Sequence, residues 1–121
     1  MGGTHDMTVF MRNLVRTARL VERFISDMSY EQFKGDEKTI YAVSCGLEMV
    51  GQAVKHLPDS IQQPDPEVPW RKLGIMAEDL IHSYYAVDPR QVYITVRDDL
   101  PKVIAVVERT LHEVEAGGGN A

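Results

Sequence analysis

Apolar positions recur at helical spacing along almost the whole chain, and no segment alternates cleanly between apolar and polar residues the way a half-buried strand would. The pattern is all-α. Leu14, Ala18, Val21, Ile25 and Met28 fall at three- and four-residue steps and predict a first helix from about Asp6 or Thr8 to Met28. Ser29 followed by Gln32 has the form of a capping box opening a short turn through Phe33, which Gly35 stops. Asp36 is placed as N-cap of a second long helix carrying Ile40, Val43, Leu47, Val50, Val54 and Leu57, ended by Pro58. Pro64, Pro66 and their polar neighbours predict a loop from Pro58 to Pro69, with one helical turn around Ser60. Pro69 then suits the first position of a third helix through Trp70, Leu73, Met76, Leu80 and Ile81 to about Tyr85. Asp88-Pro89 opens a fourth helix with Val92 and Val96. Asp99 and Pro101 repeat that arrangement for a last helix with Val103, Val107, Leu111 and Val114. The sum is a four- to five-helix bundle forming a single domain over 1–121, with disordered ends at about 1–6 and 116–121.

Composition narrows the function classes. With 121 residues, 44% of them hydrophobic, the chain is long enough to bury one core without disulfides or a structural metal. Cys45 is the one cysteine, so no bridge can form within the chain and no zinc-ligand spacing exists. Its place in Ser44-Cys45-Gly46, in mid-helix, predicts a small buried residue at a close helix approach. No apolar run reaches the roughly 18 residues of a membrane span, and the polar start is unlike a signal sequence, so a cytoplasmic protein is expected. A net charge of −5 disfavours coating nucleic acid through global charge but leaves room for a local basic site. Arg12, Arg16, Arg19 and Arg23 supply one candidate: their steps of four, three and four put all four guanidinium groups on one face of the first helix. Such a ridge can contact RNA phosphates, or it can be the solvated face every amphipathic helix must have.

Chemistry concentrates at the end of the third helix, where Glu78, Asp79, His82, Tyr84 and Tyr85 lie close together. A histidine at a helix C-terminus sits at the negative pole of the macrodipole, which suits a group that must shuttle protons near neutrality. Glu78 at i−4 and Asp79 at i−3 are both within reach to orient the ring. The plainer alternative is a helix-ending histidine that caps carbonyls, with Tyr84 and Tyr85 as core aromatics. Asp79 and His82 have the acidic-x-x-His spacing of di-iron bundles, but His56 and His112 have Ala53 and Arg109 at the matching positions, so no metal site is expected.

Five separated motifs carry a family resemblance: Asp36-Glu37-Lys38-Thr39, Leu47 to Ala53, Val68 to Leu73, Leu80 to Asp88, and Asp99-Leu100-Pro101. Over roughly Phe10 to His112 the chain resembles the HepT-like (DUF86) proteins of the HEPN superfamily. The resemblance implies an all-helical homodimer that is the toxin of a HEPN/MNT toxin–antitoxin pair and acts on RNA as a metal-independent endoribonuclease without a cofactor of its own. It implies His82 as the catalytic histidine. It also implies Tyr84 as the tyrosine to which an MNT-type nucleotidyltransferase antitoxin transfers AMP from ATP. One departure stands out. The family motif is Arg-x4-His, and Ala77 occupies the arginine position, so the guanidinium that would hold the scissile phosphate is missing and the chain is expected to be inactive. Either an inactivating substitution or natural drift would leave such an alanine. The alternative to a toxin is a non-catalytic HEPN interaction module that binds a nucleotidyltransferase partner.

Overall fold

The computed structural model describes residues 3–118, with side chains over 6–117. It is all-α, with no strand among the described residues. Helix α1 (Gly3–Ile25) and α3 (Glu37–Lys55) lie side by side, α5 (Trp70–His82) covers the other side of α3, and α7 (Leu100–Gly118) packs back on α1. The short α2 (Tyr30–Lys34), α4 (Asp59–Gln62) and α6 (Pro89–Ile94) close the ends. The core is continuous from Leu14, Ala18, Val21 and Ile25 through Val43, Leu47, Val50 and Val54 to Leu73, Leu80, Val103 and Val107, so the helical stripes read from the sequence face one another. No helix among the described residues is long and apolar enough to cross a membrane.

The capping box at Ser29 and the Asp36 cap form as their residue types require: Ser29 Oγ accepts from the Gln32 N–H at 3.2 Å, and Asp36 Oδ1 from the Thr39 N–H at 3.0 Å. The first helix stops at Ile25, short of the expected Met28. Carbonyls that continuing helix would have used are taken from outside: Arg97 donates to the carbonyls of Ile25 (3.1 Å) and Met28 (2.7 Å), and the Tyr93 hydroxyl donates to Met28 at 2.7 Å. A guanidinium at a helix C-terminus also meets the negative end of the dipole. The expected loop from Pro58 to Pro69 is tied down by Trp70, whose indole N–H donates to the carbonyls of Gln62 and Asp65, both at 3.1 Å.

Two expectations, the separate last helix and the buried cysteine, fail for local reasons. Asp99 and Pro101 do not begin a separate helix. Pro101 has no N–H to give, and the backbone accommodates it by widening into a π turn at Thr95–Asp99, so α6 runs into α7 without a break. Asp99 is therefore buried inside the rod and pairs with Lys72 Nζ at 3.1 Å. Helical residues 3–6 and 116–118 fall in the ends expected to be disordered; 1, 2 and 119–121 lie outside the described residues. Cys45 is exposed, contrary to expectation. The close approach belongs to its neighbour Gly46, where any Cβ would collide with the Val21 side chain of α1.

Candidate active site

Arg71, Ile75, Glu78 and His82 follow one another at helical steps down a solvent-facing edge of α5, while Leu73, Ala77 and Leu80 face inward. His82 is the last residue of α5, and its side chain is 71% exposed, open to a substrate. Its Nε2 lies 3.3 Å from Glu78 Oε1. The other oxygen of Glu78 accepts from Gln52 Nε2 at 2.9 Å and from Lys55 Nζ, both on α3. The hydrogen bond from Lys55, then that from Gln52, hold the Glu78 carboxyl down at about 2. An ionised, doubly anchored carboxylate is thus fixed beside the imidazole, an arrangement that orients the ring and leaves its far side free for proton transfer.

Of the two carboxylates within sequence reach, the structure brings Glu78 to the imidazole; Asp79 instead lines a groove of about 620 Å³ with Lys72, Met76, Ser83 and Val87. Gln52 and Lys55 were not legible from α5. Lys55 also lines a separate groove of about 500 Å³ with Arg71, Trp70 and Glu78, which places two cations along the approach to Glu78. Because the folded-state pKa of Glu78 is depressed, its contribution to stability is full above the ordinary value of 4.5 and is lost as pH falls toward about 2. Urea midpoints measured across that window are expected to fall less steeply in Glu78→Gln than in the parent.

Helix α5 ends at His82 rather than near Tyr85. Ser83 leaves helical geometry (φ −147°, ψ 49°), and Tyr84–Ala86 forms a 3-10 turn. That turn slides the half-buried Tyr84 ring against Tyr41 of α3, stacked at 4.9 Å with 13° between planes. Tyr85 stands edge-on to Tyr84 at 5.1 Å, and its hydroxyl lies 2.9 Å from that of Tyr41. The hydrogen bond with Tyr85, and after it burial, push the Tyr41 phenol up to about 12. Tyr41 went unnoticed in the sequence; the available signal was an aromatic on the polar side of α3, off the Ile40-Val43-Leu47 stripe.

Ala77 is fully buried at the crossing of α5 and α3. A Cβ at Gly51 would come within 2.5 Å of both the Ala77 Cβ and the Leu73 carbonyl oxygen, so the two helices touch backbone to backbone there. The arginine position of the motif thus points into a helix contact. The arginine ridge on α1 is divided. Arg12 pairs with Glu115 and Arg19 with Glu108 (2.6 Å), a ladder between α1 and α7, whereas Arg16 and Arg23 form no ion pair among the described residues. Charge reversal at Arg16 and Arg23 is expected to weaken RNA association and flatten its salt dependence; an unchanged salt slope would return both to a solvated face.

A family model described as Ribonuclease HepT-like matches residues 14–110, a stretch that includes the whole constellation around His82. The chain belongs to that family. It is 34% identical over 100 residues to the probable ribonuclease HepT of Thermococcus cleftensis, covering 83% of this chain and 91% of the relative. A second relative, described as an RNase of Methanocaldococcus jannaschii, is 31% identical over 110 residues, covering 91% and 95% of the two chains. A third, from Caldanaerobacter subterraneus subsp. tengcongensis and also described as an RNase, is 32% identical over 94 residues, covering 78% and 83%. No solved structure matches significantly. Membership makes this helical bundle a HepT-like HEPN protein of ribonuclease type.

Proposed function

We propose that the protein is a homodimeric HEPN toxin acting on RNA, with one His82 from each subunit facing a common cleft. The observation that carries this reading is the exposed imidazole held by Glu78 at the end of α5, in a chain of the ribonuclease HepT-like family. Two imidazoles related by a two-fold axis supply a base to take the proton of a ribose 2′-hydroxyl and an acid to protonate the departing 5′-oxygen. The 2′-oxygen attacks the adjacent phosphorus, and a 2′,3′-cyclic phosphate is left. Such a step asks no metal of the protein. Without the motif guanidinium, cleavage is slowed by a factor of about a hundred or more.

The same reading gives the toxin an MNT-type nucleotidyltransferase antitoxin that uses ATP. The Tyr84 hydroxyl attacks the α-phosphorus, pyrophosphate leaves, and AMP remains on the ring. The bulk and charge then stand two residues from His82, where RNA phosphate must pass. A second reading, a non-catalytic module that binds the nucleotidyltransferase, is favoured by one observation: Ala77 is buried against Gly51 and presents no cation. The two part in a single-turnover RNA assay with excess protein and chelator. Slow cleavage leaving cyclic phosphate ends supports the nuclease. Cleavage no greater than that of His82→Ala, with the partner still bound, gives the protein to the second reading.

A further inference from the structure

Tyr85 is 89% exposed, yet its ring is not loose. The phenol is held at 2.9 Å by that of Tyr41, and the ring stands perpendicular to Tyr84, with 86° between planes. Tyr84 is itself stacked on Tyr41, so three rings fix one another, and of the three Tyr85 stands furthest into water. Holding a tyrosine in a single orientation costs side-chain entropy, and here almost no burial offsets it. An arrangement of that kind recovers its cost when something flat lies on the ring.

We propose that the Tyr85 ring is a stacking platform for an unpaired nucleobase of the RNA, next to the linkage presented to His82, with Tyr41 as the positioning residue that sets the plane. The inference rests on the RNA-directed reading above. Three features select a base over other occupants. The platform lies in the 3-10 turn that follows His82 at the end of α5, so the ring and the imidazole belong to one end of the helix. An open aromatic face accepts any base of a single strand, and duplex bases cannot reach it. Glu37 lines the same pocket of about 190 Å³ as Tyr41, Tyr84 and Tyr85. Its carboxylate repels phosphate, which leaves the neutral base to face the aromatic side and the backbone to run past His82.

The test uses a single-stranded oligonucleotide that cannot be cleaved, 2′-O-methylated throughout and carrying 2-aminopurine, whose fluorescence falls on stacking. The parent protein is expected to bind it and quench it. Tyr85→Ala is expected to abolish the quenching and weaken binding about ten-fold or more. Tyr85→Phe and Tyr41→Phe each remove the hydroxyl contact that sets the plane but keep the Tyr85 face or its phenylalanine equivalent, so both are expected to bind and quench less than the parent and more than Tyr85→Ala. Equal binding and quenching by the parent and Tyr85→Ala would overturn the platform and leave the RNA-directed reading intact. A parent that binds no RNA overturns both. If sedimentation shows that Tyr85→Ala dissociates the dimer, the ring belongs to a second copy of the chain and the platform is equally overturned.

Discussion

Replacing His82 by alanine is expected to lower RNA cleavage by about a hundred-fold or more, to the level of the uncatalysed background, while leaving thermal stability close to that of the parent. The two halves of that result come from different facts. The side chain is largely in water and packs against nothing in the core, so truncation removes little burial. Among the described residues its ionic partner is Glu78, which stays anchored by Gln52 and Lys55 without it. Under the proposed chemistry, by contrast, the two His82 imidazoles of the dimer take one proton and give the other, and no other titratable side chain on the Arg71-Ile75-Glu78 edge of α5 can take that work. A fall in stability comparable to the fall in cleavage would assign His82 a structural role and remove it from the chemistry.

Restoring the motif arginine is expected to do harm. Ala77→Arg places a long cationic side chain where α3 and α5 meet at Gly51, a site with no room even for an additional Cβ. The helices must separate, or the charge must be buried, and either costs about 2–4 kcal/mol. The urea midpoint should drop accordingly, and cleavage is not expected to recover, because the guanidinium cannot reach the His82 edge without opening the core. Relief of the contact is not available through Gly51, which has no side chain to move. A variant as stable as the parent would show that the side chain escapes the crossing, and its cleavage rate would then report directly on the missing cation. The tight fit of Ala77 against Gly51 and Leu73 is what a helix crossing adapted to alanine would have.

Much of this was legible in the chain. The stripes of α1, α3 and the Val103-Val107 face of α7 appear as three- and four-residue steps because burial of one helical face leaves that trace and little else does. The caps at Ser29, Asp36 and Asp88 announce themselves because a side-chain oxygen there meets a free backbone N–H. His82 with Glu78 was legible because both lie on one helix. What escaped depends on contacts between distant segments. The π turn at Thr95–Asp99 looks in sequence like a cap and a proline, the same signs that open a helix elsewhere. Tyr41, Gln52 and Lys55 reach the site from α3 and have no local signature pointing at α5. The exposure of Cys45 and the burial of Ala77 both depend on how α3 sits between its neighbours, where Gly46 allows the close contact with α1 and Gly51 the one with α5.

The central claim is that one imidazole from each subunit serves a single cleft. Mixed dimers test it most directly: parent and His82→Ala chains carrying different tags are co-expressed, and the doubly tagged species is purified and assayed on RNA. A shared centre predicts that the mixed dimer is as slow as the His82→Ala homodimer, since acid and base come from opposite subunits. A mixed dimer cleaving at about half the parent rate would mean that each subunit works alone, and would contradict the two-histidine centre.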